Sequence, residues 1–240
     1  GSFANVCIYR LPQDKGVVAG RSYCPKCKKK IFWYDNIPIL SYLFIQGKCR
    51  KCKKQISIQY LIVELLSVVS FVTAYSFYGI TVTTLLFIIL ALAFIIIFFI
   101  DLKHYIIPNI LTFPLMFLGF VKSFDPNLNE LFPNYINSLI GGVFGYVIIW
   151  VIIFLYKVLR NKEGMGLGDA KLLAAIGFWF GWISIPFIIF LSSVIALLTV
   201  IPSLLKKTTT MSSQIPFGPY IIIGTFVYLF FENNFKSLLF

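Results

Sequence analysis

The sequence predicts an all-α polytopic membrane protein, a helical bundle with a small cytoplasmic zinc-ribbon-like domain. Three observations carry this reading. Of 240 residues, 59% are hydrophobic and only 12% charged, and the mean hydropathy is +0.88; a soluble domain carries roughly twice that charge. Apolar runs follow one another from residue 56 onward, several near the ~20 residues needed to cross a bilayer. Two C-x2-C pairs precede them in a basic segment. The chain is therefore read as residues 1–55, a basic metal-binding region, and residues 56–240, a transmembrane region of about seven segments.

The net charge of +12 is unevenly spread, with twelve of the 21 Lys and Arg between Arg10 and Lys54. Such a segment can meet nucleic acid or an anionic membrane surface, or it can mark a cytoplasmic location. Beside membrane spans the last is commonest, so no nucleic-acid partner is expected. Within it, Cys24-Pro-Lys-Cys27 and Cys49-Arg-Lys-Cys52 are separated by 21 residues. Each knuckle can present two sulfurs to one ion, and four thiolates complete a tetrahedral zinc site with no open position for water, hence structural. Disulfides or free thiols are the alternatives, and a cytoplasmic setting disfavours the former. Cys7 falls outside the pattern and is expected as a small buried residue.

Residues 56–78 read as the first span. Glu64 inside it is either an interfacial acid or a polar pocket residue. Gly79 marks a turn. Residues 80–100 form the second span, ending at Asp101-Leu-Lys-His-Tyr-Ile-Ile-Pro-Asn109, where Pro108 and Asn109 break one helix and start the next. A short third span, 110–121, contains Pro114, and Asp125-Pro126-Asn127 makes the following turn. The fourth, 134–158, carries Gly141, Gly142 and Gly145 as a small-residue packing surface. A short helix over 170–181, a span over 183–205, and a last span over 220–231 after Ile215-Pro-Phe-Gly-Pro219 complete the chain.

Charge sets the orientation. With residues 10–54 cytoplasmic, alternation puts Asp101, Lys103, Lys157, Arg160, Lys162, Asp169, Lys206 and Lys207 on that side. Lys122 and Lys236 fall on the other. Asp101 and Asp169 thus share the cytoplasmic face. Asp169 ends Gly164-Met-Gly-Leu-Gly-Asp169, whose glycines permit close backbone approach; the plainer reading is a flexible loop with Asp169 capping the next helix. An ionisable group at the edge of a span is a functional candidate by default. Two neighbouring carboxyls share a proton, so one can activate water while the other protonates a carbonyl oxygen. That is peptide hydrolysis without metal or covalent intermediate. The single histidine, His104, could tune Asp101 or be an interfacial structural residue.

Gly166-Leu-Gly-Asp169, together with Asp101 and Ile107-Pro-Asn109, resembles the type IV prepilin peptidases, a family of GxGD-type intramembrane aspartyl proteases. The opening Gly1-Ser-Phe-Ala-Asn-Val-Cys-Ile-Tyr-Arg-Leu-Pro12, the four cysteines and Ile215-Pro-Phe-Gly-Pro219 extend the resemblance over nearly the whole chain. It implies catalysis by Asp101 and Asp169, with Gly166, Gly168 and Lys171 in the active-site loop, and zinc on Cys24, Cys27, Cys49 and Cys52. It implies cleavage of prepilins and pseudopilins after a Gly in a basic leader, at the cytoplasmic face of a bacterial inner membrane, for type IV pili or type II secretion. Many relatives also methylate the new amino terminus with S-adenosylmethionine, and Asn5 and Arg10 would lie in that region. A further span ahead of Gly1 is implied as well. Asn109 departs from the family, where an acid is common, with little effect expected. Two other readings stand beside this one: a membrane-anchored zinc-ribbon binding protein, which leaves both acids unexplained, and a transporter with broken helices and intramembrane acids, which leaves the cysteines unexplained.

Overall fold

A computed structural model describes residues 1–17, 23–24, 26–32, 34, 37–128, 132–160, 166–205 and 215–237, with backbone alone at 43, 202–205 and 232–237. Gly164, Met165, Lys162, Lys206, Lys207 and the 208–214 loop of the sequence reading lie outside these residues, as does the side chain of Lys236. Described residues form helices and no strand. The chain divides into two units, Gly1–Phe99 and Ile100–Phe240.

The first unit opens with α1 (Ser2–Arg10) and a short 3-10 turn, followed by α2 (Leu40–Phe44) and α3 (Ile58–Tyr78). Ser57 caps α3, its hydroxyl accepting from the Gln59 N–H at 3.3 Å. Gly79 ends the helix at φ 61°. Helix α1 packs on α3, and the Asn5 side chain donates to the Tyr60 carbonyl at 3.1 Å. Isolated bridges pair Tyr23 with Lys30 and Lys48 with Gln55, one at each cysteine knuckle.

Helix α4 (Val82–His104) crosses the division. The second unit continues with α5 (Asn109–Lys122), α6 (Tyr135–Arg160), α7 (Leu167–Phe180), α8 (Ser184–Leu205) and α9 (Gly218–Ser237). Every apolar run read from the sequence is helical. Helices α3, α4, α6 and the Ser184–Ile201 stretch of α8 are long and apolar enough to cross a membrane; 109–122 and 218–231 are shorter apolar helices. Val143, Val147, Trp150 and Phe154 stand exposed on α6, as lipid-facing side chains do when the solvent is hydrocarbon. Four helices of this length and composition fit a multi-pass membrane protein.

Helix α7 is the centre of the second unit. It packs chiefly on α6 and α5, and Leu172, Leu173, Ile176 and Trp179 are wholly enclosed. Contact between α6 and α7 is backbone on backbone. A Cβ added at Gly177 would strike the Gly141 carbonyl, one at Gly141 would strike that of Gly177, and one at Gly145 would meet the Leu173 carbonyl oxygen at 2.6 Å. The small-residue surface expected on residues 134–158 is this seam. At the far end of α7, Trp179 Nε1 donates to the Leu115 carbonyl at 2.8 Å. Lys122 is 6% exposed; its Nζ donates to the Trp179 carbonyl at 3.1 Å and lies 3.7 Å from the Phe132 ring centre.

Two boundaries differ from the sequence reading. Helix α4 stops at His104 because Tyr105 takes φ 56°. Pro108, extended at φ −68° and ψ 128°, then serves as the N-cap of α5. Asp101 therefore lies in the last turn of α4. Helix α7 begins at Leu167 with Gly166 as N-cap, so Asp169 stands within its first turn and is not the cap. An acid there meets the positive end of the helix dipole.

Candidate active site and metal centre

In the second unit, three segments far apart in sequence close around Asp101. The backbone N–H of Gly218, at the start of α9, donates to Asp101 Oδ2 at 3.0 Å. There is no room for more than a hydrogen there, since a Cβ on Gly218 would lie 2.7 Å from that oxygen and 3.1 Å from Ile107 Cδ1. Ile107 also faces α7, because a Cβ on Gly168 would lie 3.1 Å from Ile107 Cβ. Asp169 follows Gly168 directly, so the contact with Ile107 brings its turn of α7 to the segment that carries Asp101. Lys171 Nζ donates to Asn109 Oδ1 at 2.9 Å. Gly166 is the N-cap of α7. Both carboxyls are buried, 4% exposed at Asp101 and 8% at Asp169. His104 is exposed and makes no hydrogen bond to Asp101.

The first unit holds the four cysteines. Both knuckles have one geometry: the Cys24 N–H donates to the Lys29 carbonyl and the Lys28 N–H returns to Cys24, while Cys49 pairs the same way with Lys54 and Lys53. Lys28 and Lys53 each take φ 57° to close the turn, a left-handed conformation costly for a side chain-bearing residue. The four sulfurs lie within 4.8 Å of one another, and Cys24 and Cys52 are 3.9 Å apart. Sulfurs on one tetrahedral zinc at ~2.3 Å stand about 3.8 Å apart, so the cluster is spaced to hold a metal of that kind. Backbone N–H groups of Cys52 and Lys51 lower the half-buried Cys49 thiol toward the thiolate a metal needs, while hydrogen bonding among the cysteines raises Cys52, so the thiols titrate as one coupled cluster. All five cysteines are free of disulfides, and Cys7 is buried apart from the cluster.

Beside the thiolates is a cavity of ≈ 370 Å³. Asn5 and Arg10 from α1, Cys24 and Cys49 from the knuckles, and Tyr60 and Glu64 from α3 are among its walls. Arg10 Nη1 donates to the Gly16 carbonyl at 3.1 Å. Glu64 Oε2 accepts from the Ile39 N–H at 2.8 Å, which resolves Glu64 as a pocket residue.

Two participants escaped the sequence reading. Gly218 sits in a recognised motif, Ile215-Pro-Phe-Gly-Pro219, yet nothing in the sequence says that its N–H meets Asp101. Asn109 is legible in the sequence as a departure from the family pattern, and its role as the acceptor for Lys171 is not.

Comparison with known proteins agrees with this layout. Residues 1–78 match the bacterial peptidase A24 N-terminal domain and residues 85–201 the type IV leader peptidase family. The chain is 39% identical to a prepilin leader peptidase/N-methyltransferase of Vibrio cholerae, over 97% of this chain and 92% of that protein. It is 35% identical to the protein of the same name from Aeromonas hydrophila, over 98% and 88%, and 34% identical to that of Pseudomonas aeruginosa, over 98% and 87%. No solved structure matches the chain at comparable significance.

Proposed function

Because the chain belongs to the type IV leader peptidase family, we propose that Asp101 and Asp169 are its hydrolytic pair and that the cavity beside the thiolates is its methyl-transfer site. The chain is a bifunctional prepilin leader peptidase and N-methyltransferase, as its relatives are named. The convergence at Gly218 carries the assignment of the acids: one N–H fixes Asp101 while Ile107 packs against both Gly168 and Gly218. Two buried carboxyls that meet share one proton. The ionised one takes a proton from water as it attacks the scissile carbonyl, while the other protonates the carbonyl oxygen; as the C–N bond breaks, the first gives its proton to the leaving amine and the second recovers one from the tetrahedral hydroxyl. The Gly218 N–H, bound to Asp101 Oδ2, orients that carboxyl. Gly168, without a side chain, keeps the approach to Asp169 open. The bond cut is the one after Gly in a short basic leader, and the lysine-rich loops put this chemistry on the cytoplasmic side.

The walls of the first cavity suit S-adenosylmethionine. Its volume lies in the range of small-ligand sites, Tyr23 and Tyr60 are aromatic walls for an adenine ring, and Arg10 and Lys26 bring charge for a carboxylate. Bound there, the cosubstrate supplies an electrophilic methyl group. Asn5, tied to the Tyr60 carbonyl, keeps α1 on α3 and so holds the cavity's shape. Cys24, Cys27, Cys49 and Cys52 hold one structural zinc, which braces the wall that Cys24 and Cys49 share with the cavity. A purified preparation that is metal-free, disulfide-bonded and fully active would contradict the zinc.

The test of the pair is cleavage of a prepilin-like peptide, read by mass. Asp101→Asn and Asp169→Asn should each abolish cleavage, and the double variant should be no worse than either, because groups acting as one unit are not additive. Methylation of a pre-cleaved peptide should persist in all three. Near-normal cleavage in either single variant overturns the pair. A membrane-anchored zinc-ribbon binding protein or a transporter leaves the convergence of the two acid-bearing segments at Ile107 without a purpose.

A further inference from the structure

We infer that Glu64 is the residue that binds the substrate's α-amine and accepts its proton during methyl transfer; this rests on the methyl-transfer reading of the cavity. Among the described residues that line the cavity, Glu64 is the single acid, against Arg10, Lys26, Lys29, Lys30, Arg50, Lys51 and Lys54. The other anionic groups of the wall, the Cys24 and Cys49 thiolates, are engaged with the metal in this reading, which leaves Glu64 as the carboxylate that can meet an ammonium. Glu64 lies one helical turn beyond Tyr60, whose carbonyl Asn5 binds, so it shares the α3 face on which α1 rests. The helices are tight at that point: a Cβ on Gly1 would come within 2.9 Å of Glu64 Cα. One carboxylate oxygen is fixed by the Ile39 N–H, and the other carries no hydrogen bond among the described residues. A carboxylate held by one oxygen, with no hydrogen bond to the other among the described residues, is arranged to receive a cation.

The chemistry requires such a group. The amine exposed by leader cleavage is largely protonated at neutral pH, and an ammonium has no lone pair for attack. Glu64 takes one proton from it. The freed lone pair forms the N–C bond to the methyl carbon while the S–C bond breaks, and sulfur keeps that bonding pair, leaving as the neutral thioether. The product is a methylated ammonium, and the proton on Glu64 returns to water.

The experiment uses the full chain in detergent, a peptide with a free α-amine, and its N-acetylated twin. The parent protein should bind the free-amine peptide roughly tenfold better than the acetylated one, the scale of a charge-assisted hydrogen bond. Glu64→Gln should lose that preference, still bind S-adenosylhomocysteine, and methylate on the order of 10²-fold more slowly in kcat. Glu64→Asp should restore part of both. Leader cleavage by the same preparations reports that they are folded. Parent-like methylation by Glu64→Gln overturns the assignment, as does equal loss of S-adenosylhomocysteine binding and rate, which would make Glu64 part of the cosubstrate site instead. Ser41→Trp, which fills the cavity from α2, tests the underlying reading separately. If that variant methylates normally, the cavity is not the methyl-transfer site. If it is inactive while Glu64→Gln is unimpaired, the cavity stands and the carboxylate alone is wrong.

Discussion

Gly218 has no side chain, and the candidate site depends on that. Its N–H reaches Asp101 Oδ2 because nothing larger than hydrogen separates the backbone from the carboxylate. Gly218→Ala puts a methyl 2.7 Å from that oxygen, so the carboxylate must turn away or α9 must retreat. We expect kcat for leader cleavage to fall on the order of 10²-fold, the cost of about 1 Å of misplacement in an oriented reaction. Methylation of a pre-cleaved peptide should be untouched, and both are read by mass on one preparation. Asn109 predicts the opposite outcome. Its contact with Lys171 is exposed, and an aspartate there would accept from the same ammonium. Exposed pairs contribute about 0–1 kcal/mol, so Asn109→Asp should leave kcat/KM for cleavage within a few-fold of the parent. At this scale the sequence exposed the acids, the cysteines and the motif around Gly218. It could not show that Gly218 meets Asp101, because a hydrogen bond across 117 residues depends on the fold.

Helix α7 holds Asp169 in place through contacts that leave no slack. At one end of the seam, Gly141 and Gly177 bring the α6 and α7 backbones together. Gly177→Ala should push the helices apart and destabilise the protein by about 1–3 kcal/mol or more, as overpacking of a filled interior does; the midpoint of unfolding in detergent measures it. Two residues further along α7, Lys122 closes the helix by donating to the Trp179 carbonyl. A cation suits the negative end of a helix dipole. Lys122→Ala leaves that carbonyl without its buried donor and should cost about 1–3 kcal/mol in the same measurement, with zinc content unchanged. The glycine run on residues 134–158 revealed a packing face, though not its partner on α7. The charge pattern puts Lys122 on the outward side. A lone lysine after an apolar run looks like an interfacial anchor, and only the position of Trp179 and Phe132 shows that its side chain is drawn inward.

Across the molecule, two kinds of chemistry are segregated by composition: thiolates and cations in residues 1–55, buried carboxyls in an apolar helical unit. Apolar runs and the Lys and Arg pattern made the membrane class legible, since hydrocarbon tolerates so few structures. Helix ends at Tyr105 and Gly166 were not, because they turn on local backbone angles that hydropathy does not encode. The sidedness of the whole chain is argued from charge. By their Lys and Arg, residues 10–54, 101–107, 159–169 and 206–214 are proposed for the cytoplasmic side, and the turn at Asp125 for the other. Each site is tied to this: a carboxyl pair on the outer face could not meet a leader made in the cytoplasm, and a four-thiolate zinc would face an oxidising environment there. A membrane-impermeant maleimide applied to intact cells should therefore label Asp125→Cys and spare Lys103→Cys. Both should react once the membrane is opened, since both positions are exposed in the fold. Labelling of Lys103→Cys in intact cells, with Asp125→Cys protected, would invert the molecule and remove the shared face on which the two-acid mechanism depends.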